Sequence, residues 1–594
     1  MSAKIKERIA ALRAQMAEKG ISAFIIPATD PHMSEYVADH WKCREWISGF
    51  DGSAGTVVVT DTDAGLWTDS RYFLQGALQL EGTGIRLFKE GLPETPSIPE
   101  FLIDTLPAAA TVAIDGNVFS ASAAADLRSR FESRGIAFAT DFFPFDTIWT
   151  DRPARPEHPV FIYPSEYSGE ETLAKRARIL KALEQEGANA LMLSALDDIA
   201  WALNIRGTDV ECNPVGICYA FISEKENILF IDKEKLTSEL REYCDHNQII
   251  TASYDKVSDF LKQLPDGYTV LVDPAKLNEY LFASLSAECG KKCTTSPIAI
   301  MKAVKNETEI KGIKNAMVKD GIALTRFFRW LEESIPTGQV TEMGIAEKLI
   351  EFRDEQPAYV GESFGTIAGF KGHGAIVHYH ATPETDSTIT NDGFLLIDSG
   401  AQYFDGTTDI TRTVILGEPT AEQKRDFTLV LKGHINLSRQ KFPQGTRGDQ
   451  LDVLARQALW NLNLNYLHGT GHGIGHFLNV HEGPQSIRMN HNPVTLVPGM
   501  ITSNEPGLYL TDKYGIRHEN LILTVADTTG EFGPFYKFET LTLFPFDLNG
   551  IDASLLSAEE KEWLNSYHRK VYESLAPHLS ADEQNWLAEK TKTI

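Results

Sequence analysis

Five short segments in the C-terminal third of the chain offer side chains of the kind that hold divalent cations. Asp398 stands in LLIDSGAQY and Asp409 in DGTTDITRT. His468, His472, His476 and His481 share HGTGHGIGHFLNVHEGP, Glu505 stands in SNEPGLY, and His518 and Glu519 in GIRHENL. Asp398 ends an apolar, strand-like run, and Gly400 and Gly406 separate it from Asp409. Two strands joined by a short glycine-containing turn place such aspartates side by side. Buried carboxylates that close repel each other, and one takes up a proton unless a cation neutralises them. Glu505 and Glu519, flanked by apolar strand-like residues, extend the same reasoning. In a chain with 82 acids, each of them taken singly reads as well as an ordinary surface carboxylate.

The histidine segment changes that balance. Gly469, Gly471, Gly473 and Gly475 leave its backbone bare, which costs conformational entropy and supports no helix. Such a stretch is expected where backbone approaches a ligand closely. Four carboxylates and one imidazole form a hard, oxygen-rich donor set suited to Mn²⁺, Co²⁺ or Zn²⁺ rather than copper or an iron–sulfur cluster. Four carboxylate charges balance two divalent ions. Two ions roughly 3.5–4 Å apart lower the pKa of a shared water enough to make a nucleophile near neutral pH.

Elements must carry these residues. The 594 residues suggest roughly three to four domains. The first half contains an internal repeat: a helical pattern over residues 5–20 ending at Gly20, then the strand 23–26, answered by a helical pattern over 172–187 ending at Gly187, then the strand 190–193. Hairpin-like strands follow each, at 56–60 and 65–68 and at 218–222 and 228–231. The expectation is two related α/β domains, 1–152 and 165–300, joined by the proline-rich 153–164, and a third domain over 301–594. That third domain opens with a long helical pattern near residue 300 and ends in a helical tail over 557–594, to which no function attaches.

The formal net charge of −26 disfavours nucleic acid and anionic membrane as partners, while suiting cationic ligands such as a peptide amino terminus. Acidity also serves solubility alone. The six cysteines are dispersed, with no CxxC pair, and read as reduced thiols of a cytoplasmic protein. Cys289 and Cys293 lack a second ligand cluster and are not assigned a metal. The charged amphipathic start is not a signal peptide, and no apolar run is long enough for a transmembrane span.

The order Asp398, Asp409, His472, Glu505, Glu519 with its flanking residues resembles the pita-bread metallopeptidases of family M24. DPHMSEYVADHWKCREWISGFDGSAG, residues 30–55, and WTDSRYFLQ, residues 67–75, resemble the first domain of the three-domain Xaa-Pro aminopeptidases, the cytosolic aminopeptidase P type. HGTGHGIGHFLNVHEGP and SNEPGLYL resemble their catalytic domain. The resemblance spans the chain. It implies an α/β (α+β) fold, with two related N-terminal α/β domains followed by a pita-bread catalytic domain. It implies two divalent ions, Mn²⁺ foremost, held by Asp398, Asp409, His472, Glu505 and Glu519. Asp398 would use both oxygens on one ion, Asp409 and Glu519 would bridge, and His472 and Glu505 would hold the second.

The resemblance further implies that Glu505 shuttles a proton, that His378 hydrogen-bonds the scissile region, and that His468 and His481 line the proline side. Tyr509 and Arg517 would support the pocket, and Arg71 would complete it, in a homodimer from the neighbouring subunit. His373, His380, His476 and His518 receive no role. The substrates implied are peptides with proline in second position. A prolidase-type dipeptidase is the alternative; methionine aminopeptidases lack the two N-terminal domains, and metal-free relatives lose ligand positions that are all present here.

Overall fold

The computed structural model describes residues 2–594, which part into two compact units. One runs to Ser165 and resumes over Glu170–Ala299; the other is Glu166–Gly169 with Ile300–Ile594.

Helices Ser2–Lys19 and Thr172–Gln185 bury one stripe each, Ile5, Ile9, Leu12 and Met16 in the first and Thr172, Lys175, Ile179 and Leu183 in the second. Both helices are closed by a left-handed glycine, Gly20 at φ 67° and Gly187 at φ 71°. Beyond each glycine an amide reaches back to the last turn, Ile21 to Met16 O at 2.9 Å and Ala188 to Leu183 O at 2.8 Å.

The strands Ala23–Ile26 and Ala190–Leu193 then lie inside two six-stranded mixed sheets of identical order. The first runs Arg86–Lys89, Ala64–Thr68, Thr56–Thr60, Ala23–Ile26, Thr111–Ile114, Ala137–Ala139. The second runs Ile250–Ala252, Asn227–Phe230, Tyr219–Ser223, Ala190–Leu193, Thr269–Val272, Gly290–Cys293. Antiparallel and parallel pairings match position for position, so the repeat in the sequence is a repeat in topology. The proline-rich connection is less free than its composition suggests. Phe161–Ile162 pairs with Ile205–Arg206, and Val160 and Tyr163 are buried.

The long helical pattern near residue 300 is two helices rather than one, the first of them spanning the boundary between the units. Pro297–Ala303 stops before Asn306, which caps Glu307–Ser334: its side chain accepts from the Glu309 amide while Glu309 accepts from the Asn306 amide. The strand Gly393–Tyr403 pairs with Tyr359–Phe370 on one side and Ile410–Leu416 on the other. Its alternation sorts function from packing. Leu395 and Ile397 enter a core with Phe327, Phe328 and Leu331 of the long helix, whereas Leu396 packs with Ile367, Tyr379 and Tyr509 on the opposite face, the face of Asp398. A six-stranded sheet, with Asn520–Gly530, Ile501–Asn504 and Gly471–Gly473 consecutive in it, brings the remaining segments together. The tail helix Ala558–Leu575 buries Leu564, Tyr567, His568, Val571 and Leu575. Among the described residues no helix is long and apolar enough to cross a membrane, and the six cysteines are free thiols.

Candidate active site

Asp398 does not end its strand; it sits in the middle of it, opposite Thr411. The chain turns at residues 404–405 and returns through the short strand Gly406–Thr407. Asp409 directly precedes Ile410, so Asp409 and Thr411 point to one face while Ile410 enters the helical core. Glu519 is carried to the same place by its amide, which donates to Thr411 O at 3.1 Å. Thr411 Oγ1 donates to Glu519 Oε2 at 2.7 Å. His472 and Glu505 come from neighbouring strand ends: the His472 amide donates to Ser503 Oγ at 2.9 Å, and Ser503 Oγ donates to Glu505 Oε1 at 3.0 Å.

The four carboxylates and His472 form one buried cluster. His472 Nε2 lies 3.3 Å from Asp409 Oδ2 and 3.4 Å from Glu505 Oε1. Asp409, His472 and Glu519 each present one donor atom within 4.8 Å of the others. Asp398 joins from the side: its Oδ2 accepts from Arg517 Nη2 at 2.5 Å, while its Oδ1 is buried without a partner.

Electrostatics describe a cluster with too much negative charge. Burial pushes the Glu519 carboxyl well above the ordinary range, and the charges of Asp409, Glu505 and Asp398 push it further. Burial also raises Glu505, against His472 and with Asp409, and raises Asp398, against Arg517 and with Asp409. Burial works against a charged His472, yet the hydrogen bond to Asp409 and the charges of Glu505 and Asp409 outweigh it and push the ring up to about 9. A divalent cation relieves all four carboxylates at once. The donor set fits one in a further respect. His472 Nδ1 lies 2.9 Å from Gly473 O, which fixes the tautomer that turns Nε2 toward the carboxylates. The orphaned Asp398 Oδ1 is a free oxygen donor at the rim of the same cluster.

Around the cluster, His481 meets His472 edge-on, with ring centroids 4.3 Å apart at 72°. His468, Tyr509 and Arg517 form a chain: Arg517 Nη1 donates to the Tyr509 hydroxyl at 2.7 Å, and that hydroxyl lies 2.9 Å from His468 Nε2. With His468 Nδ1 on Gly469 O at 2.8 Å, the ring accepts from Tyr509. Burial lifts the Tyr509 hydroxyl to about 12, so it stays a donor. His378 lies half-buried in the turn after the short helix Lys371–Ala375, next to Tyr379, whose ring packs in the Tyr509 cluster. Arg71 belongs to the N-terminal unit, where its Nε and Nη2 bind the Asp69 carboxylate at 2.9 and 2.7 Å, with Glu35 at 3.9 Å.

The four histidines left without roles are placed elsewhere. His373 pairs with buried Glu342, His380 is exposed, His476 lies 3.1 Å from Tyr167 O, and His518 faces Phe427 O at 3.3 Å.

The glycines of the histidine segment serve a different purpose from the one expected. A Cβ at Gly471 would stand 2.0 Å from Ser503 O, and one at Gly473 2.1 Å from Glu482 O. Backbone approaches neighbouring backbone there, not a ligand, and this closeness presents His472 between two strands. Several supporting residues had no signal strong enough to single them out. Thr411 is one, legible only as the i+2 neighbour of Asp409. Asp452 and Arg456 are others, an i, i+4 pair on the helix Gly448–Trp460. Arg456 Nε donates to Asp452 Oδ2 at 2.6 Å, and its terminal nitrogens donate to Tyr466 O at 2.5 Å and His468 O at 2.8 Å.

Known proteins carry the same pattern. The Creatinase/Prolidase N-terminal domain matches twice, over residues 8–145 and 151–309, Metallopeptidase family M24 matches 311–526, and the C-terminal region of peptidase M24 matches 534–594. Aminopeptidase P2 of Arabidopsis thaliana is 40% identical over 99% of this chain and 89% of its own. A probable Xaa-Pro aminopeptidase P of Laccaria bicolor is 41% identical over 98% of this chain and 92% of its own. The crystal structure of an X-prolyl aminopeptidase from Caenorhabditis elegans, described as a cytosolic enzyme with a di-nuclear active site, superposes with a TM-score of 0.95 at 36% identity, covering 99% of this chain and 100% of that one. Two creatinase-type α/β lobes and a pita-bread catalytic domain, matched along the whole chain by these relatives, place this chain in metallopeptidase family M24.

Proposed function

We infer that this chain is a Xaa-Pro aminopeptidase, a metal-dependent hydrolase that releases the first residue of peptides with proline second. The observation that carries the reading is the buried cluster of four carboxylates and one imidazole, in a chain similar over its whole length to aminopeptidases P. Asp398, Asp409, His472, Glu505 and Glu519 hold two divalent ions, manganese before cobalt or zinc. When bound, such ions supply positive charge and an acidified water.

The chain's own residues do the rest. Glu505, beside His472 and Asp409, accepts the proton of the attacking water and returns it to the proline nitrogen. That nitrogen is a tertiary amide with no hydrogen of its own. His378 donates to the oxygen on which negative charge develops. His468 and His481 line the proline side, and Tyr509 holds the His468 ring through its hydroxyl. Arg517 keeps Asp398 in place and, with Tyr509, supports the pocket. Arg71 serves the site as a substrate-binding residue from the first domain, in a homodimer. The working division is three domains, 1–152, 165–300 and 301–594, in a cytoplasmic enzyme.

The test is an assay of a tripeptide Xaa-Pro-Yaa beside the dipeptide Xaa-Pro, after chelation and after return of Mn²⁺, Co²⁺ or Zn²⁺. Tripeptide cleavage restored by metal is the expected result. Cleavage of the dipeptide alone would establish a prolidase-type dipeptidase instead.

A further inference from the structure

Arg412 lies in the strand Ile410–Leu416, next to Thr411, and is 2% exposed. Alternation turns Thr411 toward the carboxylates and Arg412 the other way, toward the segment Phe544–Phe546 and the tail helix. A buried guanidinium is normally paired with a carboxylate, because an isolated charge is costly to desolvate. Among the described residues no carboxylate stands within ion-pair distance of Arg412. Its donors go to neutral acceptors: Pro545 O at 3.0 Å, Thr411 O at 2.9 Å, Glu519 O at 2.5 Å, Asn520 Oδ1 at 2.8 Å, Phe544 O at 2.6 Å and the Tyr567 hydroxyl at 3.0 Å. Its flat face covers the Phe546 ring at 4.2 Å.

Two of those acceptors matter to the site. Glu519 O is the carbonyl of the residue whose carboxylate joins the cluster, Asn520 Oδ1 is the side chain of the next residue, and Thr411, the residue before Arg412 in its strand, binds the Glu519 carboxylate directly. The Tyr567 hydroxyl comes from the tail. It also lies 2.8 Å from Phe544 O and 3.0 Å from Thr542 O, and the neighbouring His568 Nε2 accepts from the Phe546 amide at 3.2 Å. The tail helix is thereby tied through one guanidinium to the main chain of a metal-ligand residue.

We propose that Arg412 and Tyr567 are positioning residues of the metal centre: the tail helix holds Arg412, and Arg412 fixes the Glu519–Asn520 backbone so that the Glu519 carboxylate meets Asp409 and His472. This rests on the metallopeptidase reading and gives the tail a function in it. A guanidinium with its donors spread over three chain segments has a planar geometry that lysine cannot reproduce. An outer-shell partner of this kind contributes about 10–100-fold to metal affinity.

The experiment uses the full chain. Mn²⁺ affinity and stoichiometry are measured by equilibrium dialysis with elemental analysis for wild type, Tyr567→Phe, Arg412→Lys and Trp586→Phe, alongside melting temperatures. Trp586 donates to Glu332 at 2.8 Å on the last helix, so its replacement loosens the tail without touching Arg412. Expected are about tenfold or greater weakening of at least one Mn²⁺ site in Tyr567→Phe and Arg412→Lys, with kcat falling and KM little changed, and partial rescue at high Mn²⁺. Trp586→Phe is expected to lose thermal stability alone. Should Arg412→Lys fail to fold, Tyr567→Phe decides. Unchanged Mn²⁺ affinity in Tyr567→Phe overturns the proposal. Wild type that binds no divalent ion overturns the metallopeptidase reading itself.

Discussion

In the N-terminal unit, Asp209 is buried with Lys235 Nζ 2.6 Å from its Oδ2 and the Ile217 amide at 2.7 Å on the same oxygen; both side chains are wholly out of solvent. In the catalytic unit, four carboxylates share one largely buried cluster, and Arg517 and His472 pair with them. The first arrangement balances one carboxylate with one ammonium inside the fold, although Asp209 Oδ1 also lies buried without a hydrogen-bond partner. The second leaves several carboxylates sharing too few cationic partners, which is where an outside cation enters. Burial of acids therefore says little by itself, and the charge left over after every partner is counted says much more.

The largest effect should come from removing one charge from the surplus. Glu519→Gln is expected to lose activity by more than the ~10–100-fold typical of outer-shell changes, with less than two metal ions retained per chain. At a pH above the raised Glu519 range, its chelated form should melt higher than chelated wild type, because a repelling charge is gone there. Elemental analysis and calorimetry test both. A chelated variant that melts lower would mean the cluster is not strained by its own charge.

Asp209→Asn should behave in the opposite sense. It leaves Lys235 buried without its partner, a change that costs about 3–5 kcal/mol in comparable cases. Urea unfolding should register that loss while Mn²⁺ affinity of the surviving folded protein stays at the wild-type value. A change in metal affinity without loss of stability would erase the contrast between the two regions.

The sequence carries the two lobes and the acidic cluster, but not the Asp209–Lys235 pair. The helix–glycine–strand repeat predicted two lobes because a left-handed glycine cap and an apolar run are local features, and the five ligand segments announced themselves through spacing and type. What escaped was non-local. Arg412 looks like any strand arginine until residues 544–546 and Tyr567, more than a hundred positions away, are folded onto it. From sequence, Asp398 ends its strand, because the glycines that follow suggest a turn. In the structure Gly400 stays in the strand, where a Cβ would stand 2.0 Å from Ser363 Oγ. The histidine-segment glycines likewise suggest room for a ligand, whereas Gly471 and Gly473 make room for the Ser503 and Glu482 carbonyls.

A middle-sized effect concerns the chain from His468 to Asp398. Tyr509→Phe removes the hydroxyl that accepts from Arg517 and donates to His468. A fall of roughly tenfold in kcat/KM for Xaa-Pro-Yaa is expected, within the range for groups that orient a functional side chain. Unchanged kinetics would show that His468 is held by Gly469 O and packing alone.

The surplus charge should also be visible in pH dependence. Glu519 in the metal-free fold holds its proton above the ordinary 4.5, and His472 holds its proton to about 9 instead of 6.5. Groups with raised folded pKa values stabilise the native state below their unfolded values and lose that contribution as pH rises through the folded ones. Chelated protein should therefore lose melting temperature from about pH 4.5 toward pH 9, while Mn²⁺-loaded protein loses much less and releases protons on loading. A chelated melting temperature that rises over this interval would contradict the direction of both shifts.

The smallest effect belongs to Arg71, the one proposed site residue in the N-terminal unit. Its partners are the half-exposed Asp69 and Glu35, with Asp69 held by two of its nitrogens. Exposed pairs of this sort contribute about 0.2–1 kcal/mol. Arg71→Gln should thus scarcely change unfolding, which isolates any effect on substrate. If Arg71 binds peptide as proposed, KM for Xaa-Pro-Yaa rises severalfold with kcat and metal content unchanged, and the effect weakens with added salt, since a partly exposed charge is screened. If KM does not move, Arg71 is only the local clamp of Asp69. The N-terminal unit would then contribute no charge to catalysis, and the two regions would differ more sharply still.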